Sequence, residues 1–311
     1  MKDMTKTRPT LKSSLKKDDQ IGEIGKKPVA IKRKLYQLVK REAARRTEVN
    51  RTPKESYLYL YDGYLKERPF QPIISIIETR LGDFEIVGKI IRLSTFTNPR
   101  VLVEDEMRHG VKNVVIVGND DTLARILTRT ADLDVTFGFL PIGQKKNYLA
   151  KILGLPINEK SVEVLAARKV EKIDYGIINR NRFFLSYLYI PGARVKIACD
   201  KNFTVSPGRD KFETAVANLL PPPFESDKFV LKPQDGQMEV YFQPAERGLL
   251  SKLVKGRESK VTSMFPFHHL LITSDKIITV LADGKETQEA AVEIEVAKKK
   301  LKMVVGKGRQ F

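Results

Sequence analysis

Blocks of strand-like and helix-like spacing alternate along residues 57–156. Short apolar runs rich in β-branched residues predict strands, and apolar residues recurring every three or four positions predict helices. The predicted strands are YLYLY, GKIIRLS, NVVIV and DVTFGFLPIG, and the predicted helices are PIISIIETRL, VLVEDEMRHG, LARILTRT and NYLAKILGLP. This alternation predicts a mostly parallel sheet with helices on both faces, in which ligands bind at the carboxyl ends of the strands. Those ends are residues 62–63, 94–98, 118–122 and 143–147.

The pattern changes after Pro156 to strands and turns. The predicted strands are EKIDYGII, FFLSYLYI, ARVKIAC, KFVLKP, QMEVYF, TSMFPFHHLLIT, KIITVLADGK, VEIEVA and LKMVVG, with one helical insertion at DKFETAVANLL. The fold class is therefore predicted as α/β, with a mostly parallel sheet flanked by helices and followed by a β-rich sandwich domain. The predicted domains are residues 57–156 and 157–311.

Composition narrows the class of protein. A chain of 311 residues with 41% hydrophobic content can bury a sizeable core. The single cysteine, Cys199, rules out an internal disulfide framework and is expected to be a small core residue. No apolar run approaches the roughly 20 residues of a membrane span, which predicts a soluble, cytoplasmic protein. The three histidines, His109, His268 and His269, show no metal-binding spacing, because adjacent residues on a strand point to opposite faces.

The net charge of +18 is concentrated at the N-terminus. Residues 1–56 contain 17 Lys and Arg against 7 Asp and Glu. They are predicted to form a basic, partly disordered arm, in which AIKRKLYQLVKREAARR could form an amphipathic helix. Such an arm suits an anionic membrane surface, which would place the protein peripherally at the inner face of the membrane. A solvated tail without a specific partner is an equal alternative, and nucleic acid is the weakest because no recognition motif accompanies the charge.

The stretch NVVIVGNDDTLARIL, residues 113–127, joins a strand to a helix through a polar turn. One interpretation is that Asp120 or Asp121 caps the helix. The other is a phosphate-binding loop, because helix N-termini after strands present free backbone N–H groups to anions. Taken alone, the turn favours the cap, since most such turns bind nothing.

Four segments in sequence order resemble the catalytic family of the diacylglycerol kinases, which includes bacterial lipid kinases and sphingosine kinases and shares its α/β domain with the NAD kinases. VVIVGNDDTL is similar to the family's strand followed by Gly-Gly-Asp-Gly-Thr and Leu. FGFLPIGQKKNYLAKILGLP is similar to its Pro-x-Gly-Thr, Asn and Leu-Gly-Leu-Pro segment. KVEKIDYGIINRNRFFLSYLYIPGARV resembles the passage that opens the second domain, and ADGKET stands where the family has Asp-Gly-Glu.

The resemblance implies a lipid kinase that uses ATP and Mg²⁺ to phosphorylate the hydroxyl group of a membrane lipid. In the family, the glycine-rich turn approaches the nucleotide phosphates, its Asp lies in the active site, and the Asp-Gly-Glu turn helps to deprotonate the lipid hydroxyl. The catalytic candidates carried over by position are Asp120 and Asp283. The nucleotide-binding candidates are Gly118, Thr122, Gly143 and Asn147, and Gly284 belongs to the turn of the second domain.

Several positions depart from the family pattern. Asn119 and Asp121 replace glycines, and both residue types tolerate positive φ, so the turn is expected to keep its shape and to remain nucleotide-binding. Asp120 and Asp121 together could bind Mg²⁺. Lys145 and Lys146 either neutralise phosphates or form a solvated basic loop. Asp62 and Gly63, at the end of the first strand, are either a nucleotide contact or an ordinary turn.

Lys285 replaces the glutamate of Asp-Gly-Glu, and loss of a general acid–base group costs about 10²–10⁴ in rate. Asp283 remains as a candidate base, although Asp-Gly is also a favoured hairpin turn. The leading hypothesis is an ATP-dependent lipid kinase, and the alternative is an inactive relative that binds a lipid or a partner. An NAD kinase is a third option. The turn ADGK, residues 282–285, resembles the lipid kinases more closely than the NAD kinases. Whether the protein is an enzyme, and whether it forms a homo-oligomer, stay open.

Overall fold

The computed structural model describes residues 56–94, 96–143, 146–200, 202–206, 210–223, 229, 231–245 and 263–311. The basic arm and its amphipathic helix, predicted for residues 1–56, therefore lie outside the described residues, apart from Ser56. Lys145 lies outside them as well.

The first four strands form a parallel sheet in the order β2-β1-β3-β4. They span Ser56–Tyr61 (β1), Lys89–Arg92 (β2), Val111–Gly118 (β3) and Thr136–Pro141 (β4). Successive residues of β1 and β3 enter different cores. Leu58 and Val114 lie in one hydrophobic cluster, and Tyr59 and Val115 lie in another. Both faces of the sheet are covered, which explains why these strands are apolar throughout.

Five helices accompany these strands in the described residues. They span Gln71–Asp83 (α1), Pro99–Arg108 (α2), Asp120–Thr130 (α3), Tyr148–Ile152 (α4) and Ser161–Ala167 (α5). The first four were predicted. The fifth was not, because residues after Pro156 had been assigned to strands and turns. Its buried residues are only Ser161, Val162 and Leu165, and a seven-residue helix gives too few turns for its period to stand out.

The remaining strands are mostly antiparallel. They span Val170–Ile178 (β5), Arg182–Phe184 (β6), Tyr187–Ala193 (β7), Lys196–Cys199 (β8), Phe203–Val205 (β9), Phe212–Ala217 (β10), Met238–Pro244 (β11), Ser263–Phe267 (β12), His269–Ala282 (β13) and Lys285–Val304 (β14). β14 pairs with β13 and β5 and, near its end, runs parallel to β4, so the described strands form one sheet of fourteen. The predicted fold class is confirmed, and the division near residue 156 stays a prediction.

The helix predicted at DKFETAVANLL is wrong. Residues Phe212–Ala217 form β10, which lies between β7 and β11 and pairs with both. Thr214, Ala215, Val216 and Ala217 are all buried, so the strand does not alternate and its period resembles that of a buried helix. The strand predicted at KFVLKP is also not found, since its described residues, 229 and 231–233, are irregular.

Two further features bear on the sequence predictions. Cys199 is a free, fully buried core residue at the end of β8, as expected. Within the described part of the chain, no helix has the length and apolar character needed to cross a membrane.

Candidate functional site

The turn between β3 and α3 is held by a side-chain cap. Asn119 accepts a hydrogen bond from the backbone N–H of Thr122 at 3.1 Å, and the Thr122 hydroxyl faces the N–H of Asn119 at 3.3 Å, which forms a capping box. The prediction that Asp120 or Asp121 caps this helix is therefore wrong. The expectation of positive φ is also wrong, because Asn119 is extended at φ −123° and Asp121 lies within the helix.

Gly118 is required here by close packing. A Cβ on Gly118 would lie 2.8 Å from the Thr122 Cβ and 2.9 Å from its Cγ2, and still closer to its hydroxyl oxygen. Thr122 is 1% exposed and cannot move into solvent. The glycine thus permits the close approach of strand and helix, as glycine does at tight strand-to-helix turns.

Asp62, at the end of β1, joins this turn from the neighbouring strand. Its Oδ2 accepts hydrogen bonds from the Thr122 hydroxyl at 2.6 Å and from Arg125 of α3 at 2.9 Å. Its Oδ1 is 3.4 Å from the backbone N–H of Tyr64. The Asp62 carboxylate therefore holds α3 in position. At the next residue, Gly63, an added Cβ would lie 3.1 Å from the Leu93 carbonyl oxygen, which is closer than most such contacts.

Asp120 connects α3 with α4. Its Oδ2 accepts hydrogen bonds from the backbone N–H groups of Tyr148 at 2.6 Å and Leu149 at 3.1 Å, and its own N–H donates to the Lys146 carbonyl at 2.8 Å. Its Oδ1 is buried and has no hydrogen-bond partner among the described residues. Burial raises the pKa of Asp120 to about 6, although the N–H donors of Leu149 and Tyr148 favour the charged form.

The loop between β4 and α4 carries the second predicted motif. Gly143 has φ +88°, its carbonyl accepts a hydrogen bond from the Asn147 side chain at 2.7 Å, and its N–H donates to Asn158 at 3.1 Å. Lys146 has φ +58°, and its ammonium group lies 2.6 Å from the Asp121 carboxylate. Asn147 therefore closes the loop, whereas Lys146 and Asp121 face each other in solvent.

Asp283 and Gly284 form a two-residue hairpin between β13 and β14. Both have positive φ, +46° and +79°, and the flanking residues Ala282 and Lys285 are paired, as expected for an Asp-Gly hairpin. The Asp283 carboxylate accepts backbone N–H groups from Leu185 at 2.6 Å and from residues 186 and 187 at 2.8 and 3.2 Å. Burial raises the pKa of Asp283 despite these donors.

These elements meet at a cavity of about 630 Å³. The hairpin lies on one side, and α3, the residues after β2 and the loop after β4 complete the wall. The charged lining residues are Asp121, Arg125, Arg129, Lys146, Asp283 and Lys285, and the uncharged ones are Thr97, Asn98, Pro99, Ala124, Thr128 and Gly284. Four cations against two carboxylates suit a polyanionic ligand. The volume is within the range of ligand pockets, about 300–1,000 Å³.

The cavity contains only part of the predicted site. Asp121, Lys146, Asp283, Gly284 and Lys285 line it. The other described candidates do not line it; they are Asp62, Gly63, Gly118, Asn119, Asp120, Thr122, Gly143 and Asn147. Residues that follow three of the four parallel strands, β2, β3 and β4, line this cavity, as the sheet pattern predicts, whereas residues 62–63 after β1 do not.

Sequence analysis missed Arg125 and Arg129. They lie on α3 four residues apart and therefore on one face of that helix, Asp121 occupying the preceding turn of the same face. The i, i+4, i+8 spacing after the motif was visible in the sequence and could have indicated them. Arg129 also lines a second, smaller cavity of about 370 Å³ with Asn179, Asn181, Arg182 and Glu289.

No protein-family model and no curated protein matches the sequence. The fold does match solved structures. A diacylglycerol kinase crystal structure from Bacillus anthracis strain Sterne is similar with a TM-score of 0.66, at 16% identity over 81% of this chain and 97% of that chain. Two more structures from that strain, described as candidate diacylglycerol kinases, give TM-scores of 0.65 and 0.67 at 16% and 15% identity, with the same coverage. The predicted diacylglycerol kinase-like fold is thereby confirmed.

Proposed function

We propose that the protein is a lipid kinase-type phosphotransferase that binds Mg-ATP by its phosphates in the cavity and phosphorylates the hydroxyl group of a membrane lipid. The similarity of the fold to that of a diacylglycerol kinase structure supports a lipid kinase-like protein. The observation that carries the proposal is that two carboxylates and four basic side chains line one cavity at the carboxyl ends of parallel strands. They come from α3, the loop after β4 and the β13–β14 hairpin.

Side chains rather than the start of α3 would contact the phosphates. The N–H of Thr122 is occupied by the Asn119 cap, and the N–H of Asp120 by the Lys146 carbonyl. Arg129 and Lys285 have no ion-pair partner among the described residues, which leaves both cations for an anionic ligand. Lys285 therefore takes the role of a phosphate-binding cation where the resembled family has a carboxylate.

Two carboxylates divide the remaining chemistry. Asp121 offers oxygen ligands at the cavity wall, and one or two carboxylates with phosphate oxygens are a usual donor set for Mg²⁺. Bound Mg²⁺ would supply neutralisation of the charge that develops on the transferring phosphoryl group. Asp283 would accept the proton of the lipid hydroxyl, since burial raises its pKa and three N–H donors fix its orientation.

The basic arm, residues 1–56, would hold the protein at an anionic membrane. Its excess of positive charge suits acidic headgroups, with each Lys or Arg near the surface contributing about 1 kcal/mol. Binding of the arm would bring the protein to its lipid substrate at the inner face of the membrane.

The test is transfer of labelled γ-phosphate from ATP to diacylglycerol in anionic vesicles, with Mg²⁺, by the full chain and two variants. Asp121→Asn removes one of the two carboxylates that line the cavity, the one that pairs with Lys146 at 2.6 Å. Asp134→Asn is the matched control, because Asp134 is also exposed and pairs with Lys302 at 2.5 Å, but does not line the cavity. We expect transfer by the native chain and by Asp134→Asn. We expect a loss of at least about tenfold in Asp121→Asn, since even outer-shell changes at metal sites cost that much.

A second function, phosphate-ligand binding without transfer, is favoured by Lys285. A cation at this position strengthens binding of an anion and removes the general acid–base group of the resembled family. Thermal unfolding with and without Mg-ATP separates the two. Stabilisation of the native chain without any product would establish the binding protein. Neither stabilisation nor product with saturating nucleotide would refute both functions.

A further inference from the structure

Three potential metal ligands converge where β13 and β14 pair. His269 lies opposite Glu295 in the antiparallel register, and Glu293 lies two residues earlier on the same face of β14. The His269 Nε2 is 3.0 Å from Glu293 Oε1. One ligand atom from each of the three residues lies within 4.8 Å of the other two. The sequence analysis excluded a histidine metal site because adjacent residues on a strand point to opposite faces. That argument leaves out ligands from a neighbouring strand.

We propose that His269, Glu293 and Glu295 bind a divalent transition metal ion of the Zn²⁺ class. One imidazole nitrogen and two carboxylate oxygens are a donor set that Zn²⁺ uses, with metal–ligand distances of about 2.0–2.2 Å. Around such an ion the donor atoms lie roughly 3–3.5 Å apart. The His269–Glu293 separation already meets this, and a side-chain rotation of Glu295, which is exposed, closes the remainder.

Neighbouring hydrogen bonds hold the backbone of two ligands in place. The Asp200 carboxylate accepts the backbone N–H of His269 at 2.7 Å, and Asn179 Oδ1 accepts the N–H of Glu293 at 2.8 Å. The charge around the group is mixed. The Asp200 carboxylate adds negative charge beside His269, and Arg180 adds positive charge, since its Nε lies 3.7 Å from Glu293 on a side chain that is 85% exposed. Such an exposed pair contributes about 0–1 kcal/mol, so Arg180 is a weak competitor for the carboxylate.

The site is independent of the proposed function. None of its three ligands lines the cavity that holds Asp121 and Asp283. The chain also offers few other nitrogen or sulfur ligands for Zn²⁺. It contains three histidines and one cysteine. Cys199 is fully buried. His109 is the C-terminal cap of α2, and its Nδ1 lies 2.9 Å from the Asp105 carbonyl oxygen.

The experiment measures Zn²⁺ bound to the untagged full chain after gel filtration, by metal analysis, and the midpoint of thermal unfolding with and without Zn²⁺. The variants are His269→Ala and Glu295→Gln. His268→Ala is the matched control, because it is the adjacent histidine and is absent from the ligand group. Unfolding midpoints without metal verify that each variant is folded.

We expect stoichiometric Zn²⁺ on the native chain and on His268→Ala. Zn²⁺ should raise the unfolding midpoint of both proteins, and an excess of Mg²⁺ should not displace the bound Zn²⁺. Affinity should fall at least about tenfold in His269→Ala and in Glu295→Gln, since even outer-shell changes cost that much. Absence of stoichiometric Zn²⁺ on the native chain would overturn the proposal. Equal affinity in the native chain and folded His269→Ala would overturn it as well.

Discussion

Adding one methyl group at Gly118 should destabilise the protein. In Gly118→Ala, the new Cβ would lie 2.8 Å from the Thr122 Cβ and 2.9 Å from its Cγ2, well inside normal contact distance. Gly118 does not have positive φ, so the effect is steric rather than conformational. Either β3 or the first turn of α3 must shift.

The magnitude follows from what Thr122 does. Overpacking a closed site costs about 1–3 kcal/mol. A shift of Thr122 also weakens its 2.6 Å hydrogen bond to the Asp62 carboxylate, and such charged bonds contribute about 1.5–3 kcal/mol. A combined loss of about 2–4 kcal/mol corresponds to a fall of roughly 5–15 °C in the unfolding midpoint, at about 2–4 °C per kcal/mol.

Thermal unfolding by circular dichroism is the assay, and Gly82→Ala is the matched control. Gly82 lies in α1, and a Cβ there would meet no atom within 4 Å, so alanine should stabilise the helix by up to about 1 kcal/mol. The two substitutions add the same methyl group and should act with opposite signs. If Gly118→Ala unfolds at the native midpoint, the tight approach of Gly118 and Thr122 is not a constraint on this fold.

Three other substitutions give separate checks. Asp120→Asn should change the pH dependence of stability. The pKa of Asp120 is about 6 in the folded protein and 3.8 in the unfolded chain, so protonation of this group stabilises the native protein as pH falls from 6 toward 4. Thermal unfolding measured across this pH range should lack that gain in the variant. Asp283→Asn leaves one acceptor oxygen for three backbone N–H groups, so chemical denaturation should show a loss of about 1.5–3 kcal/mol, and an unchanged midpoint would contradict the hairpin contacts. Gly176→Ala would place a Cβ against the buried ring of Phe184, 2.7 Å from its Cδ1, and should cost about 1–3 kcal/mol by the same denaturation measurement.

The spacing of apolar residues along the chain was sufficient to predict the strands and helices of the parallel part of the sheet. β1 and β3 are apolar on both faces, and α1 to α3 are amphipathic over ten or more residues, so each gives a strong signal. β10 gave the wrong signal because four consecutive residues, 214–217, are buried, so the strand does not alternate between buried and exposed positions. Short helices such as α5 lack enough turns to establish a period.

The turn chemistry was predicted only in outline. Asn119, Asp120 and Asp121 can each cap a helix. The spacing to Thr122 selects Asn119, since the two partners of a capping box lie three residues apart. Asp120 was then free to accept N–H groups from α4, which lies elsewhere in the chain. Contacts of this kind depend on the packing of two helices, and no local pattern encodes them.

The way β14 joins the two halves of the sheet explains why the cavity could not be built from the motifs alone. β14 begins beside Asp283, pairs with β13, and reaches β4 only at Lys302 and Met303. Between these partners lies a bulge near Lys299, whose φ is +50° and whose N–H donates to the buried Asp174 carboxylate. The bulge lets one strand pass from the antiparallel to the parallel part of the sheet. The position of Lys285 relative to Asp121, with which it lines the cavity, therefore depends in part on strand register more than ten residues away.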